Sequence, residues 1–352
     1  MKFLSVDTSC DETSASVCKD DRVLSNIISS QVDLHNEWGG VVPSIAKRIH
    51  QERIDPTISL ALKRARLKIE DIDAFAITIG PGLAIALEVG IKKIKELSQI
   101  HNKPIIVVNH MEGHIYSNFA KNSEGSSYNK FKKPKFPVLC LLVSGNHTEL
   151  VLMSNHGNYK LLGETLDDAA GEAFDKIARP LILGYPGGSI IERFAESGNP
   201  EAFDLPRPMI HSKDYNFSFS GLKTASVLLI EKLKQKYKKD FSKVVPDFCS
   251  SFQQSITDVL LAKTVKAVKE YKVKQLFMGG GVISNNQIRK SFRKEMRRLS
   301  VNVFISDKKF CTDNAAMIGI CAYYKSKRNE YVKNIKNVDR MPNLKINENI
   351  LF

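Results

Sequence analysis

The order of apolar and polar positions predicts two similar hairpin units in this chain. The opening run, MKFLSVDTSCDETSASVCKDDRVLSN, has the pattern of a strand, a polar turn, a strand, a tight turn from Lys19 to Arg22 and a third strand. A similar run begins at Pro137 and reads PVLCLLVSGNHTELVLMSNHGNYKLLG. Both runs place a turn with hydroxyl and Asp or His residues between two apolar strands, so we interpret them as a weak internal repeat. The repeat predicts two related lobes whose polar turns face one cleft.

Helical and strand patterns alternate in the rest of the chain. RIDPTISLALKRARL and GLAIALEVGIKKIKELSQI have the period of helices, whereas IDAFAITIG and KPIIVVN are typical of buried strands. Further on, we predict helices from Asp168 to Ala178 and from Phe252 to Tyr271, then a strand in QLFMGGG and a helix after Asn286. This alternation predicts the α/β fold class.

The segment 119–136, FAKNSEGSSYNKFKKPKF, is the best candidate for a linker between the two halves. It is rich in Ser, Asn, Lys and Gly, a composition typical of linkers. We therefore expect an N-terminal lobe over residues 1–125 and a second lobe over residues 126–312. The apolar helix expected at 313–330 is predicted to pack back onto the first lobe, which leaves a C-terminal tail over residues 331–352.

Composition indicates a folded protein of the cytoplasm. The 352 residues are 43% apolar, enough to fill one large core or two ordinary ones. The longest apolar run, from Phe136 to Val143, is far shorter than the ~20 residues that span a bilayer, and the N-terminus has no leader pattern. The six cysteines are scattered without a CxxC pair, which favours reduced, mostly buried thiols over a disulfide framework.

The charge balance favours a polyanionic partner and gives no indication of a membrane. There are 52 Lys and Arg residues against 38 Asp and Glu residues, a net charge of +14. Lys and Arg that neutralise phosphates release counterions, so an excess of this size suits nucleic acid. A lysine-rich surface that is merely solvated is the alternative, and composition alone does not separate the two.

The stretch NHMEGHIYSNF, residues 109–119, contains a candidate metal site. His110 and His114 are four residues apart, so on a helix both imidazoles lie on one face and can share a cation, although two packing histidines are an equally good interpretation. Glu112 is roughly 200° around the helix from His110 and lacks the position of the general base in H-E-x-x-H proteases. A third ligand is available in Asp313, but an Asp at the start of a helix is more often its N-cap.

Three glycine-bearing turns favour a nucleotide site in the second half. They are LVSGNHT at 142–148, GYPGGS at 184–189 and MGGGVISNN at 278–286, each beside a predicted strand or helix start. Such turns let backbone N–H groups approach a phosphate closely. None matches a P-loop or a clean G-x-G-x-x-G. Asp168, Glu172 and Asp175 form a predicted acidic helical stripe, either a solvated surface or a holder of ribose hydroxyls.

Ten segments occur in order along the chain: VDTSCDET, WGGVVPSIAKRIHQERI, GPGL, NHMEGHI, LLVSGNHTEL, DDAAGEAFDK, YPGG, FSFSGLKTA, GGGVISNNQIR and CTDNAAMIG. Together they resemble the bacterial-type tRNA adenosine threonylcarbamoyltransferases. The resemblance covers about Phe3 to Ala322, and the histidine motif with the DDAAGEAFDK and FSFSGLKTA segments is highly specific. It implies an actin-like, sugar-kinase-like fold of two duplicated lobes, in agreement with the repeated hairpins.

The resemblance also implies a set of site residues. It implies one divalent metal ion, iron or zinc, held by His110, His114 and Asp313, which favours the ligand interpretation of Asp313 over the cap. His and carboxylate ligands suit several metals, so the sequence does not choose between them. The implied substrate contacts are Leu142, Val143, Ser144, Gly145, Asn146, Asp175, Gly188 and Asn285.

Three positions depart from the family pattern. Ser44 stands where Glu commonly follows VVP, Ile85 stands where a glycine follows GPGL, and Asn146 replaces the second glycine of VSGGHT. Because Asn is the non-glycine residue that best tolerates positive φ, Asn146 is expected to keep the loop.

The reaction implied by the resemblance transfers a threonylcarbamoyl group from threonylcarbamoyl-AMP to the exocyclic amine of the adenosine 3′ of a tRNA anticodon. AMP is a good leaving group, so the enzyme must mainly position two substrates and stabilise charge. Asp11 or Glu12, near the first hairpin, is our candidate for proton removal. The implied partners are tRNA, a catalytically inactive sister protein and a small ATPase.

Alternatives from other functional classes remain at this point. A metalloprotease is disfavoured by the position of Glu112. A non-catalytic scaffold of the same modification complex is disfavoured because His110, His114 and Asp313 are all present. A sugar kinase is suggested by the implied fold alone, which is an analogy.

Overall fold

The structure is a computed structural model that describes residues 1–35, 40–131, 133–348 and 350. Trp38 and Gly39 of the WGGVVPSIAKRIHQERI segment lie outside the described residues, as do Lys132 of the predicted linker and residues 349, 351 and 352 of the predicted tail. No helix in the described part of the chain is both long and apolar enough to cross a membrane.

The first sheet contains five strands: β1 (Lys2–Asp7), β2 (Glu12–Lys19), β3 (Arg22–Ser30), β4 (Ala74–Gly80) and β5 (Ile105–Asn109), in the order β3-β2-β1-β4-β5. The hairpin strands β1, β2 and β3 pair antiparallel, while β4 and β5 extend the sheet in parallel with β1. Every residue of β4 and β5 is buried, as expected for parallel strands covered on both faces. The helices of this region are α1 (Val32–His35), α2 (Pro43–Ala65), α3 (Ala84–His101) and α4 (His110–Tyr116).

The second sheet repeats this order. Its strands are β6 (Val138–Val143), β7 (Thr148–Asn155), β8 (Asn158–Glu164), β9 (Gln275–Gly279) and β10 (Asn302–Ile305), arranged β8-β7-β6-β9-β10. Strands β6 and β7 pair antiparallel, whereas β9 is parallel to both β6 and β10. The same topology therefore occurs twice, which confirms the predicted α/β class and the duplication.

The remaining helices are α5 (Ala170–Ala178), α6 (Gly187–Ala195), α7 (Ser220–Tyr237), α8 (Phe241–Tyr271), α9 (Asn286–Arg298) and α10 (Ala315–Ser326). Short 3-10 turns span Ile69–Asp71, Ser117–Phe119, Lys238–Asp240, Gly281–Ser284, Lys308–Phe310 and Ile335–Asn337. Helix α8 begins well before the predicted Phe252, because Val245, Phe248 and Cys249 bury their side chains in spite of Pro246 within the helix. Strand β10 and helix α6 had no clear pattern in the sequence.

Contacts divide the chain into two compact units. The first comprises residues 1–133, 155–159 and 306–352, and the second comprises residues 134–154 and 160–305. The core of the first is formed by apolar residues of β1, β2, β4 and β5 with those of α2 and α3. The core of the second is formed by β6, β7 and β9 with α5 to α9. Helix α10 packs on the first sheet, where Ser5 Oγ donates to the Ala315 carbonyl at 2.6 Å.

Candidate active site

The two histidines of the NHMEGHI motif lie on one face of α4, directly after β5. Asn109 caps the helix, since its Oδ1 accepts from the backbone N–H of Met111 at 2.8 Å and of Glu112 at 3.3 Å. Both His110 and His114 are buried, and their rings meet edge to face with centroids 4.8 Å apart. The one-turn spacing therefore directs two imidazoles to one point, as predicted.

Asp313 completes a group of three potential metal ligands. Its Oδ1 lies 3.2 Å from His110 Nε2 and 3.3 Å from His114 Nε2. The ligand atoms of all three residues lie within 4.8 Å of one another. Two atoms that each bind one ion at about 2.0–2.1 Å are themselves about 3 Å apart, so these separations suit a shared cation. The structure thus brings together the three residues predicted as ligands.

The alternative role of Asp313 as a helix cap is wrong. The N-cap of α10 is Asn314, whose Oδ1 accepts from the backbone N–H of Met317 at 3.1 Å. Asp313 precedes this cap, so its carboxylate is left to face the two imidazoles.

The ring nitrogens of the two histidines differ in their partners. His110 Nδ1 lies 3.1 Å from Ser9 Oγ and 3.3 Å from Asp7 Oδ2, an arrangement that fixes the ring and aims Nε2 at Asp313. Within the described residues neither nitrogen of His114 has a hydrogen-bond partner, although Nε2 is close to Asp313. Because a buried polar group without a partner is costly, the environment of His114 fits a bound cation.

The electrostatics of the group are dominated by carboxylates. Burial disfavours the charged imidazole, but the carboxylates of Asp313 and Asp7 outweigh burial and raise the pKa of His110 to about 10. Burial also disfavours a charged Asp313, yet His110 and His114 hold the pKa of that carboxyl well below its ordinary value. Burial lowers the pKa of His114. Negative charge is therefore concentrated where a divalent ion would be stabilised.

Glu112 faces away from the two imidazoles, as its helical position predicted. Its carboxylate accepts from the Tyr159 hydroxyl at 2.9 Å and pairs with Lys325 at 3.5 Å. It is therefore not available as the general base that a zinc protease needs.

The two candidate bases, Asp11 and Glu12, lie at the start of β2. Asp11 is buried and Glu12 is half-buried. Burial, followed by the carboxylates of Asp11 and Asp313, raises the pKa of Glu12 well above its ordinary value. Glu12 is therefore in the electrostatic environment of Asp313, and a raised pKa makes its carboxylate a stronger base.

In the second unit, the implied contact loop 142–146 follows β6. Leu142 and Val143 are buried in the strand, whereas Gly145 and Asn146 are exposed. The turn closes through a hydrogen bond from the Ser144 backbone N–H to the His147 carbonyl at 2.8 Å. Asn146 does not have a positive φ. The expectation that Asn146 keeps the loop by tolerating a positive φ is therefore wrong in its premise.

Glycines allow two other segments to approach this loop closely. A Cβ on Gly171, at the start of α5, would lie 2.5 Å from the Ser144 carbonyl oxygen. A Cβ on Gly280, after β9, would lie 2.3 Å from the Val143 carbonyl oxygen, and the φ of Gly280 is +98°. Only glycine fits such positions without displacement of the backbone.

The other implied substrate contacts lie at the starts of α6 and α9 or face them. Asp175 Oδ1 accepts from the backbone N–H of Gly187 at 2.7 Å. A Cβ on Gly188 would have its nearest neighbour at 3.9 Å, so the surface there is open. Asn285 caps α9 through the backbone N–H of Ile288 at 3.0 Å, and its Nδ2 donates to Gln253 Oε1 at 2.5 Å.

The predicted acidic stripe does not exist as a helical feature. Helix α5 begins at Ala170, so Asp168 precedes it. The Asp168 carboxylate pairs with Lys176 at 2.8 Å and with Lys223 at 2.5 Å. Glu172 pairs with Lys176 at 2.7 Å. These lysines neutralise the stripe, which gives Asp168 and Glu172 a structural role.

Two positions that depart from the family pattern lie in the first turns of helices. Ser44 is exposed near the start of α2, and Ile85 is half-buried near the start of α3. Among the described residues, no hydrogen bond or ion pair joins Ser44 or Ile85 to the three potential metal ligands.

Sequence reasoning missed Asp7 and Ser9 as neighbours of the histidines. Asp7 ends β1 and Ser9 lies in the turn after it, both within the VDTSCDET segment, but nothing in the local pattern connects them to His110. The contact arises because β1, β4 and β5 are neighbours in one sheet.

The family model of TsaD, tRNA N6-adenosine threonylcarbamoyltransferase, matches residues 22–320. The chain belongs to this family. It is 44% identical to the tRNA N6-adenosine threonylcarbamoyltransferase of Thermosipho melanesiensis, over 98% of this chain and 100% of that protein. It is 45% identical to the enzyme of the same name from Clostridium kluyveri, over 99% of this chain and 98% of that protein.

As a member of the TsaD family, the protein is an acyltransferase-type enzyme that modifies tRNA. Its substrates are tRNA and a threonylcarbamoyl donor. The predicted resemblance and enzyme class are confirmed.

Solved structures with low identity share the fold. HypF of T. kodakarensis matches with a TM-score of 0.60 and 13% identity, over 93% of this chain and 48% of that chain. Component A of the Acidaminococcus fermentans (R)-2-hydroxyglutaryl-CoA dehydratase matches with a TM-score of 0.52 and 16% identity, over 93% and 99%. These likenesses concern the fold alone and agree with the predicted duplicated, actin-like lobes.

Proposed function

We propose that the protein transfers the threonylcarbamoyl group of threonylcarbamoyl-AMP to the exocyclic amine of the adenosine 3′ of the anticodon, in tRNAs that read codons beginning with A. The observation that carries the proposal is the cluster of His110, His114 and Asp313, in which His114 is buried and its ring nitrogens have no hydrogen-bond partner among the described residues. In a family of tRNA threonylcarbamoyltransferases, such a cluster is the best candidate for the reacting centre.

The three clustered residues would hold one divalent ion, iron or zinc, through two Nε2 atoms and Oδ1. When bound, such an ion acts as a Lewis acid toward oxygen atoms of the substrate. Ser9 and Asp7 keep His110 oriented toward that point, and both imidazoles are buried.

The donor would be bound in the second unit. Exposed Gly145 and Asn146, the open surface at Gly188 and the N-termini of α6 and α9 offer backbone N–H groups that suit a phosphate. Asp175 supports this surface because it holds the backbone N–H of Gly187. Val143 would support the turn at Gly280, which packs against it. Asn285 would support the turn before α9, which it caps.

The chemical step would proceed by direct attack. The adenosine N6 forms a bond to the carbamoyl carbon, and the bond from that carbon to the phosphate oxygen of AMP breaks, so AMP leaves with the electron pair. One proton must leave N6, and we propose Glu12 as the acceptor, because burial and the carboxylates of Asp11 and Asp313 raise its pKa and make its ionised carboxylate a stronger base. Asp11 remains the alternative base.

The partners that we propose are tRNA, a catalytically inactive sister protein and a small ATPase, all in the cytoplasm. The net charge of +14 supports contact with tRNA phosphates. The two alternative functions are less well supported, because Glu112 is engaged away from the histidines and because the ligand set is complete.

The test is transfer of labelled threonine to tRNA, with threonylcarbamoyl-AMP and partner proteins present. We expect the label at the adenosine next to the anticodon. The affinity for tRNA should fall as salt rises, and each phosphate contact should add about −0.7 to −0.9 to the slope of log affinity against log salt concentration. Label at another nucleotide would contradict the proposed target, and an affinity that does not change with salt would contradict the proposed phosphate contacts.

A further inference from the structure

The glutamate between the two histidines is the buried end of an ion cluster on the opposite side of α4. Glu112 Oε1 accepts from the Tyr159 hydroxyl at 2.9 Å and lies 3.7 Å from Arg328 Nη2, while Oε2 lies 3.5 Å from Lys325 Nζ. Glu330 joins the cluster, since its Oε2 lies 2.7 Å from Lys325 Nζ and its Oε1 pairs with Arg328. We refer to Glu112, Lys325, Arg328 and Glu330 as the ion cluster.

The ion cluster joins α4, which carries His110 and His114, to α10, which begins shortly after Asp313. Lys325 lies in the last turn of α10, the helix that begins two residues after Asp313. Helix α4 touches α10 directly at Gly113, where a Cβ would lie 2.9 Å from Ile318 Cδ1 and 3.2 Å from Met317 Cγ. Movement of α4 along or around α10 would therefore change the 3.2 Å and 3.3 Å separations between Asp313 and the two imidazoles.

Helix α4 needs such support because it is only seven residues long. Isolated helices of that length are unstable in water, so its position must come from tertiary contacts. Glu112 and Lys325 are 5% and 9% exposed at their side chains, and a buried ion pair gains little stability after the loss of hydration. What such a pair can supply is a single arrangement of the two helices.

We propose that Glu112 is a positioning residue, which, through Lys325 and the rest of the ion cluster, sets the alignment of α4 on α10 and thereby the geometry of the metal ligands. The inference rests on the proposed metal site. Glu112, the central residue of the HMEGH motif, would thus position the metal ligands without contacting the substrate.

The experiment uses Co²⁺ added to the metal-free, full-length protein, because the visible absorption of Co²⁺ reports the number and geometry of its ligands. Glu112→Gln keeps the size of the side chain and removes its charge. We expect the affinity for Co²⁺ to fall about tenfold, which is the lower end of the losses caused by removing a hydrogen-bond partner of a metal ligand. The absorption spectrum of the bound Co²⁺ should also change. Lys325→Met should do the same, the double variant should add little to either change, and Lys325→Arg should retain most of the affinity.

The matched control is Lys93→Met, which removes a lysine paired with Asp55 at 3.0 Å and Glu96 at 2.9 Å elsewhere in the same unit. It should leave Co²⁺ affinity and spectrum unchanged, even where stability falls.

Two different failures can be distinguished in this experiment. Wild-type affinity and spectrum in Glu112→Gln, with only a lower unfolding midpoint, would overturn the positioning role while leaving the metal site intact. A wild-type protein that bound no Co²⁺ at the histidines, judged against His114→Ala, would overturn the metal site and the positioning role together.

Discussion

The two units have sheets of the same order, but they use buried polar side chains in opposite ways. In the first unit, His110 and His114 of α4 meet Asp313, the residue before the α10 cap, and within the described residues both nitrogens of His114 lack a hydrogen bond. In the second unit, two polar side chains of the implied substrate site are engaged: Asp175 Oδ1 accepts from the backbone N–H of Gly187, and Asn285 caps α9. We therefore propose that the first unit binds its ligand through side chains, and the second through exposed backbone.

This difference shows how one duplicated topology can serve two kinds of ligand. A metal ion needs a few side-chain donors aimed at one point, which requires unpaired atoms in a buried site. A phosphate needs several backbone N–H groups, which requires glycine-rich turns that side chains hold in place from behind. The predictions below test each half of this comparison, from the largest expected effect to the smallest.

The strongest test removes a side-chain donor from the first unit. His114→Ala should abolish stoichiometric metal binding and lower threonylcarbamoyl transfer by about 100-fold or more, because the Lewis acid is lost. Metal analysis and the transfer assay measure the two effects. His101→Ala, at the C-terminus of α3, is the control and should change neither. Unchanged metal content in His114→Ala would contradict the proposed site.

The next test concerns glycine backbone in the second unit. Gly280→Ala would place a Cβ 2.3 Å from the Val143 carbonyl oxygen at a φ of +98°, so we expect a loss of about 2 kcal/mol in the free energy of unfolding. Denaturant titration measures this loss.

Gly145→Ala is the matched variant, because its Cβ would meet nothing within 4 Å. Its stability should stay within about 0.5 kcal/mol of the wild type. Equal stability losses in the two variants would show that the close approach at Gly280 is not what holds the turn.

A third test separates donor from tRNA. Asp175→Ala removes the acceptor of the Gly187 N–H and should weaken binding of the adenylate donor about tenfold, with a much smaller change in tRNA affinity. Titration with each substrate gives the comparison, and Glu172→Ala, on the same helix, is the control. A larger loss for tRNA than for the donor would place the donor elsewhere.

The smallest effect is a pH dependence of stability that comes from the carboxylate of Asp168, which is paired with two lysines. Burial opposes its charge, but Lys176 and Lys223 hold its pKa below the ordinary value. A carboxyl with a lowered folded pKa contributes stability above its unfolded pKa of about 3.9, and this contribution is lost as the pH falls through the folded value. Asp168→Asn should therefore be less stable than the wild type by up to about 1 kcal/mol at pH 7. The difference should shrink as the pH falls below the unfolded pKa of about 3.9 in unfolding experiments, and a difference that does not change with pH there would exclude this origin.

Much of the fold could be predicted from the sequence because its signals are local. The hairpins β1–β3 and β6–β8, the buried strands β4 and β5, and the helices α2, α3 and α9 all follow from periodicity. The start of α8 and the strand β10 could not, since Pro246 argues against an early helix and the four residues of β10 carry too short a pattern. Burial against the rest of the unit decides both.

The site was predictable only in part, for a related reason. The pair of His110 and His114 follows from helical spacing, but Asp313 is distant in sequence. It was available as a third ligand or as a helix cap, and only the resemblance favoured the ligand. Asp7 and Ser9 beside His110, and Lys325 beside Glu112, come together through sheet order and helix packing. No local pattern records such contacts.

The most direct test of the central claim is anomalous scattering from crystals of the protein, recorded on both sides of the iron and zinc absorption edges. We expect the anomalous signal of one site to rise across a single edge, with the metal at about 2.0–2.2 Å from His110 Nε2, His114 Nε2 and an oxygen of Asp313. A structure of active protein with no anomalous peak at these three residues, or with the metal bound at another place, would contradict this expectation.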